Sequence, residues 1–338
     1  RGLRATIQIV SVKYIHTSGG PMMRKSLVLF FMALTSLSAQ ADNFPSQPVK
    51  LVVPWPPGGS TDVVLRAFAI EAGKSLGQPI VIENKAGVGG TLGPQIVART
   101  AKPDGYTITQ HSVAVIRMPY MQDVQYDAIK DFTPIIGLTG YTFGIVANKD
   151  SKYKNWDDVV ADAKKNPGKI TYGSPGVGTS QHLATEAIAD KAGIQLQHVP
   201  FKGSSEVMAS LLGGHIDLGV DSSGMAPHVD AGRMRLLVTF GSERTKKWNT
   251  VPILKEYGYN LVFESPWGLA GPKGMSPEVV KKLHDSFKTA LYSDTMKKVL
   301  ESVDQPVVYL NSEDYGKFIV ETDKIEAESL KRLGVTKK

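Results

Sequence analysis

Short β-branched runs alternate with amphipathic helical stretches along most of the chain. Val49-Lys50-Leu51-Val52-Val53 predicts a strand, stopped by Pro54 and by Pro56-Pro57-Gly58-Gly59. Over 61–76 the apolar residues Val64, Ala67, Phe68 and Leu76 recur at helical spacing, with Gly77 as the stop signal. A strand over 79–83, a turn with Gly87, Gly89 and Gly90, a helix over 93–100 and a strand over 106–109 follow. This βαβαβ order predicts a parallel sheet with helices on both faces.

The pattern restarts after Phe132-Thr133-Pro134. Strands are expected over 143–147, 170–172, 197–199, 216–220 and 236–240, with helices over 155–166, 179–192 and 204–212. The C-terminal part predicts three helices, over 277–292, 294–302 and 312–333, and no repeat of fixed period is visible. The expectation is two α/β lobes, one from 42–142 plus 264–338 and the other from 143–263.

One segment does not belong to this pattern. Arg24 and Lys25, the apolar stretch from Leu27 to Leu37 and the small-x-small triplet Ala39-Gln40-Ala41 form the three parts of an export signal. Its apolar core is far shorter than the ~20 residues of a spanning helix. Residues 22–41 are therefore expected to be cleaved, leaving Asp42 as the mature start and a soluble extracytoplasmic protein. Residues 1–21 are expected to be spurious upstream sequence, since good starts follow at Met22 and Met23.

Export changes the charge argument. Five of the 39 basic residues and none of the 32 acidic ones lie in residues 1–41, so the formal charge falls from +7 to +2. Nucleic acid and anionic membranes lose their support as partners. Cysteine is absent, which excludes disulfides, thiol nucleophiles and cysteine metal sites. The histidines show no paired metal-ligand spacing, so no metal and no organic cofactor is expected.

Two segments share a design. Val53-Pro54-Trp55-Pro56-Pro57-Gly58-Gly59-Ser60-Thr61-Asp62 and Tyr172-Gly173-Ser174-Pro175-Gly176-Val177-Gly178-Thr179-Ser180-Gln181 each run from a strand end to a helix start. Glycine lets backbone approach a ligand, hydroxyls add donors, and a helix N-terminus offers unpaired N–H groups and positive dipole charge. Together they make an anion site without lysine or arginine. Rival motifs fail on spacing. Leu92 and Gln181 stand where dinucleotide fingerprints need glycine, and Phe68 where a P-loop ending at Gly73-Lys74-Ser75 needs it. Gly58-Gly59-Ser60-Thr61-Asp62 lacks the last glycine of a nucleophile elbow.

These stretches resemble the Bug family, the periplasmic solute-binding receptors of tripartite tricarboxylate transporters. The resemblance is carried by 44–62 and by Val81-Ile82-Glu83-Asn84-Lys85-Ala86-Gly87-Val88-Gly89-Gly90. Pro103-Asp104-Gly105-Tyr106-Thr107, Asp131-Phe132-Thr133-Pro134-Ile135, the 172–178 loop and Phe201-Lys202-Gly203 continue it. It implies a type II periplasmic-binding-protein fold, two α/β lobes joined by a two-strand hinge and closing on a ligand cleft. By position it implies a site of Gly58, Gly59, Ser60, Thr61 and Asp62 in the first loop, and Ser174, Val177, Gly178, Thr179, Ser180 and Gln181 in the second. Asp221 matches a common family aspartate. Trp55 stands where phenylalanine is usual, and His111, beside Ser112, departs from the family's small polar residues. For Asp62 a plain helix-capping role stands beside the ligand role.

The expected function is capture of a small carboxylate, with an aliphatic dicarboxylate favoured. Trp55, Met225 and Trp267 would line its apolar middle, and an aromatic acid stacked on Trp55 is the second choice. The expected partners are transiently docked membrane permease subunits, with the receptor a monomer; a sensory role would use the same chemistry. An exported hydrolase needs a nucleophile–base pair, for which Ser60 with Asp62 and Ser180 with His182 are the local candidates. Residues two apart on a helix do not face each other, so no enzyme is expected.

Overall fold

The computed structural model describes residues 44–337. The expected upstream segment and export signal lie outside the described residues. One sheet contains β1 (Val49–Val53), β2 (Ile80–Asn84), β3 (Thr107–Ser112), β4 (Phe132–Tyr141), β10 (Ser265–Pro272) and β11 (Val307–Leu310), in the order β11-β4-β10-β3-β1-β2. The other contains β5 (Gly144–Asn148), β6 (Thr171–Ser174), β7 (Gln197–Pro200), β8 (Leu218–Asp221) and β9 (Met234–Thr239), in the order β7-β6-β8-β5-β9. The chain leaves the first sheet after Tyr141 and re-enters it at Ser265.

The parallel arrangement expected from the βαβαβ run is found in β1, β2 and β3, within sheets that are mixed as a whole. The triples β2-β1-β3 and β7-β6-β8 are parallel. By contrast β10 runs antiparallel to β3 and β4, β11 to β4, and β5 to β8 and β9. The physical reason is connectivity. Parallel neighbours need a long crossover, whereas β4 carries the chain out of the first lobe and β10 carries it back alongside.

The helices are α1 (Ser60–Leu76), α2 (Leu92–Thr100), α3 (Val113–Met121), α4 (Trp156–Lys165) and α5 (Ser180–Ala192). They continue as α6 (Ser204–Leu212), α7 (Ala226–Asp230), α8 (Pro277–Leu291), α9 (Asp294–Ser302) and α10 (Ser312–Leu333). Helix α1 buries Val64, Leu65, Phe68, Ala69 and Ala72, a stripe at helical spacing, and ends where Gly77 turns left-handed at φ 79°. That stripe packs with Leu283 and Phe287 of α8 and with Trp267, whose ring meets Phe68 edge-on at 6.5 Å. The second lobe has its own core of Phe143, Trp156, Tyr172, Leu218 and Phe240. Each lobe is therefore a sheet–helix sandwich that buries apolar surface separately.

Candidate functional site

A cavity of about 30 Å³ lies between the lobes, beyond the carboxyl ends of β1, β3, β6 and β8. Strand ends are where open α/β sheets expose the N-termini of the helices that follow. Four such termini meet here. Gly59, Ser60 and Thr61 come from the start of α1, and Ser112 and Ala114 from the start of α3. Thr179, Ser180 and Gln181 open α5, and Ser204 opens α6. Trp55, Tyr141, Phe143, Pro175, Asp221, Ser222 and Ser265 complete the wall.

Among the described residues the wall has hydroxyls, aromatic rings and one carboxylate, but no lysine, arginine or histidine. Its positive potential comes instead from helix termini, each worth about half an elementary charge. Such fixed dipoles cost no side-chain ordering when an anion arrives.

Hydrogen bonds hold the wall in place. Trp55 Nε1 donates to Gln110 Oε1 at 2.9 Å, which orients the amide so that Nε2 donates to Tyr141 Oη at 2.8 Å. Tyr141 Oη in turn bonds Thr61 Oγ1 at 2.6 Å. The Trp55 ring lies over Gly90, where φ is +87° and a Cβ would sit 2.4 Å from the indole, so only glycine fits. Across the cleft, Ser60 Oγ meets Ser222 Oγ at 3.1 Å. Arg117 of α3 reaches over from the first lobe, donating from Nη1 to Gly178 O and to Ser180 Oγ, each at 3.2 Å. Its guanidinium is held from behind by Glu326 at 2.6 Å.

The second loop is braced beneath by a ring stack. His182 stacks on His198 at 4.2 Å and His198 on Tyr172 at 4.8 Å. Gly178 N–H donates to His182 Nδ1 at 3.3 Å, and Ser174 Oγ bonds His198 Nε2 at 2.7 Å. Burial, then the neighbouring His182, pushes His198 down to about 4, and burial lowers His182 as well. Both rings are thus neutral at neutral pH; His182 Nδ1 accepts from Gly178, while Ser174 Oγ–H points to Gly176 O and leaves its oxygen facing His198 Nε2.

Asp221 is the one ionisable carboxylate in the wall and is wholly buried. Burial raises it to about 6, against the opposing pull of the Ser204 hydroxyl and then of the nearby Ser222 and Met225 N–H groups. Ser204 Oγ donates to its Oδ2 at 2.5 Å, while its Oδ1 has no partner.

Of the residues expected at the site, Trp55, Gly59, Ser60, Thr61, Ser112, Thr179, Ser180, Gln181 and Asp221 line the cavity. Gly58, Asp62, Ser174, Val177 and Gly178 stand behind it or beside it. Asp62 accepts from Gly58 N–H at 2.9 Å, Arg66 Nε at 2.9 Å and Asn84 Nδ2 at 2.7 Å, so its carboxylate braces the loop rather than facing the cleft. Val177 turns its side chain to solvent and is 57% exposed.

His111 needs correction. Strand alternation sends Gln110 and Ser112 towards the cleft and His111 to the opposite face, where it is buried. There Nε2 faces Ala128 O at 3.2 Å and the ring meets Phe132 at 4.9 Å. Met225 and Trp267, expected as an apolar lining, are likewise core residues of their lobes.

Tyr141, Phe143, Ser204, Ser222 and Ser265 were not expected. Ser204 had a legible signal, because Gly203-Ser204 opens a helix as Gly59-Ser60 does. Neither local catalytic pair forms. Ser60 bonds Ser222, Asp62 is spent on the loop, Ser180 is held by Arg117, and His182 faces Gly178 N–H.

A family model described as the tripartite tricarboxylate transporter family receptor matches residues 64–335. The chain belongs to that family. Within it, this receptor is 45% identical over 306 residues to a Cupriavidus necator protein described by its place in the gbd 5′ region. That match covers 90% of this chain and 93% of the relative. Its fold matches the periplasmic binding protein BugD with a TM-score of 0.83 at 29% identity, over 87% of this chain and 100% of that one. MatC from Rhodopseudomonas palustris, solved with bound malate, matches at TM-score 0.77 and 26% identity, over 84% of this chain and 99% of that one. An R. palustris protein solved with adipate matches at 0.81 and 26%, over 86% and 99%. The receptor is therefore a Bug-type solute-binding protein with two α/β lobes. Among the described residues no helix is long and apolar enough to cross a membrane.

Proposed function

We propose that this receptor captures a small carboxylate, with an aliphatic dicarboxylate favoured, and delivers it outside the cytoplasm to the membrane subunits of a tripartite tricarboxylate transporter. The observation that carries this reading is the convergence of four helix N-termini and a ring of hydroxyls on a cavity without basic side chains. Acid-bound relatives support it, since malate and adipate are four- and six-carbon dicarboxylates. The cavity receives donors from both lobes, so a ligand held there bridges them and favours closure.

Titration calorimetry of the exported protein with succinate, malate, adipate, benzoate, glucose and putrescine tests this. Heat is expected with the aliphatic diacids, and benzoate as the best ligand would move the choice to aromatic acids. Binding of glucose or putrescine without any acid would refute the carboxylate reading.

A further inference from the structure

Asp221 poses an electrostatic problem for an anion receptor. Its side chain is fully buried, it faces the cavity, and its Oδ1 has no hydrogen-bond partner among the described residues. A native protein rarely leaves a buried carboxylate oxygen bare, because that costs the desolvation of a charged acceptor. No basic side chain lines the cavity to neutralise it. A ligand carboxylate entering the same enclosed space adds a second negative charge, and two carboxylates confined together do not both stay ionised.

We propose that the receptor takes up its ligand together with one proton from water, carried on Asp221 and donated from Oδ1 to a ligand carboxylate oxygen. This rests on the carboxylate reading given above. The donor then satisfies the bare oxygen and removes the repulsion, leaving one shared negative charge under the helix termini. Ser204 Oγ–H fixes the other oxygen, so the proton has one free place to sit. The surroundings contain little else that titrates. From the first lobe Tyr141 faces Asp221, and burial pushes it up to about 12, so it stays neutral. From α6 and the Ser223–Met225 turn the facing groups are Ser204 and backbone N–H groups, and the flanking strands β5 and β6 present Gly144, Ile145 and Gly173. Burial already lifts free Asp221 to about 6, and a ligand carboxylate enclosed beside it raises it further, far enough to keep it protonated through pH 8.

Calorimetry of the full exported protein with succinate at pH 7, in phosphate and in Tris, measures the protons exchanged on binding. An uptake of about 0.9 proton is expected, since a group titrating near 6 is about one-tenth protonated at pH 7. Between pH 7 and pH 8, where free succinate is fully ionised, Kd should weaken about tenfold. Asp221→Asn carries a neutral side chain with an N–H donor. It should abolish the uptake and flatten the pH dependence of the succinate Kd.

Succinate binding with zero uptake in the wild type overturns the proton proposal and leaves the carboxylate reading intact. The same holds if Asp221→Asn keeps both the uptake and the slope. Should no acid bind the wild type, the carboxylate reading itself fails. The wild-type measurement decides without the variant, so a variant that fails to fold does not shelter the proposal.

Discussion

Thr179 and Ser180 are neighbours with hydroxyls on one cavity wall, yet the structure gives them different work. Thr179 is the N-cap of α5, and its single proton is spent on Gly176 O at 2.7 Å, while His182 N–H approaches its oxygen at 3.4 Å. It has no proton left for an anion. Ser180 Oγ accepts from Arg117 at 3.2 Å, so its own proton is free to point into the cleft. Thr179→Ala should therefore lose about 1 kcal/mol of cap stability, a fall in Tm of roughly 2–4 °C for a protein of this size, with little change in affinity. Ser180→Ala should lose one hydrogen bond to a charged ligand, about 1.5–3 kcal/mol or roughly 10- to 150-fold in Kd, with Tm nearly unchanged. Thermal unfolding without ligand and calorimetry with the best diacid separate the two effects on the same samples. The reasoning is refuted if Thr179→Ala costs tenfold in affinity at unchanged Tm while Ser180→Ala binds like the wild type.

Acid should loosen the fold: His111 and His198 both titrate near 4 when folded and near 6.5 when unfolded. The unfolded chain binds more protons in that window, so stability falls as pH drops from about 6.5 to 4. Asp221, raised to about 6, opposes this over part of the range. His111→Gln, which keeps a donor for Ala128 O, should flatten the measured Tm–pH curve, and an unchanged slope would count against the assignment. Arg117→Met strands Glu326 at a site where both side chains are largely buried. It should cost about 3 kcal/mol or more in urea unfolding, and Arg117→Met with Glu326→Met should recover most of that; no recovery would mean the pair is not the source. Saturating ligand should shrink the radius of gyration measured by X-ray scattering, because donors to one cavity come from both lobes. Superimposable curves would argue against hinge closure.

The parts of this fold that were legible in the sequence are those whose own periodicity agrees with their surroundings. Strand β1 and helices α6, α9 and α10 fall where hydrophobic spacing puts them. Strands β4 and β10 were missed because Pro134, Gly137 and Gly140, then Pro266, Gly268, Gly271 and Pro272, read as breakers. Tertiary packing overrides that signal. At Gly268 a Cβ would stand 2.0 Å from Ile136 O and 2.8 Å from the Tyr315 ring, so the glycine permits a close strand contact instead of ending the strand. Helix α3 was hidden because β3 runs into it without a breaker, with only Ser112 as its N-cap.

The site divided along a similar line. Loop residues were readable because glycine, hydroxyl and helix start lie within a few positions of one another. Tyr141, Phe143 and Ser265 reach the cavity only because the chain crosses between lobes there, a long-range fact with no local signature. His111 failed for the opposite reason. It is adjacent in sequence to two cleft-facing residues, and a strand's period of two turns adjacency into opposition.

The absence of cations from the wall bears on how such a receptor lets go as well as how it holds. An arginine salt bridge to a ligand carboxylate in a closed cleft leaves a buried unpaired charge when the ligand departs, which costs several kcal/mol. Helix termini carry partial charges fixed by the backbone, and their orphan N–H groups can return to water as the lobes part. Here Arg117, a cationic side chain beside the cleft, is already neutralised by Glu326 and grips the second loop rather than the cavity. Attraction for the anion thus depends on bringing helix starts from both lobes together, so opening the cleft disperses the field that held the ligand. A receptor that must bind and then release gains more from that geometry than from a fixed cation. The same logic makes a new basic residue in the wall an informative perturbation. Ser265→Lys should slow ligand dissociation and reduce its pH dependence, since a lysine beside the cavity supplies the neutralisation that the helix termini now provide only on closure. Stopped-flow displacement would read this directly, and faster dissociation with retained binding would contradict it.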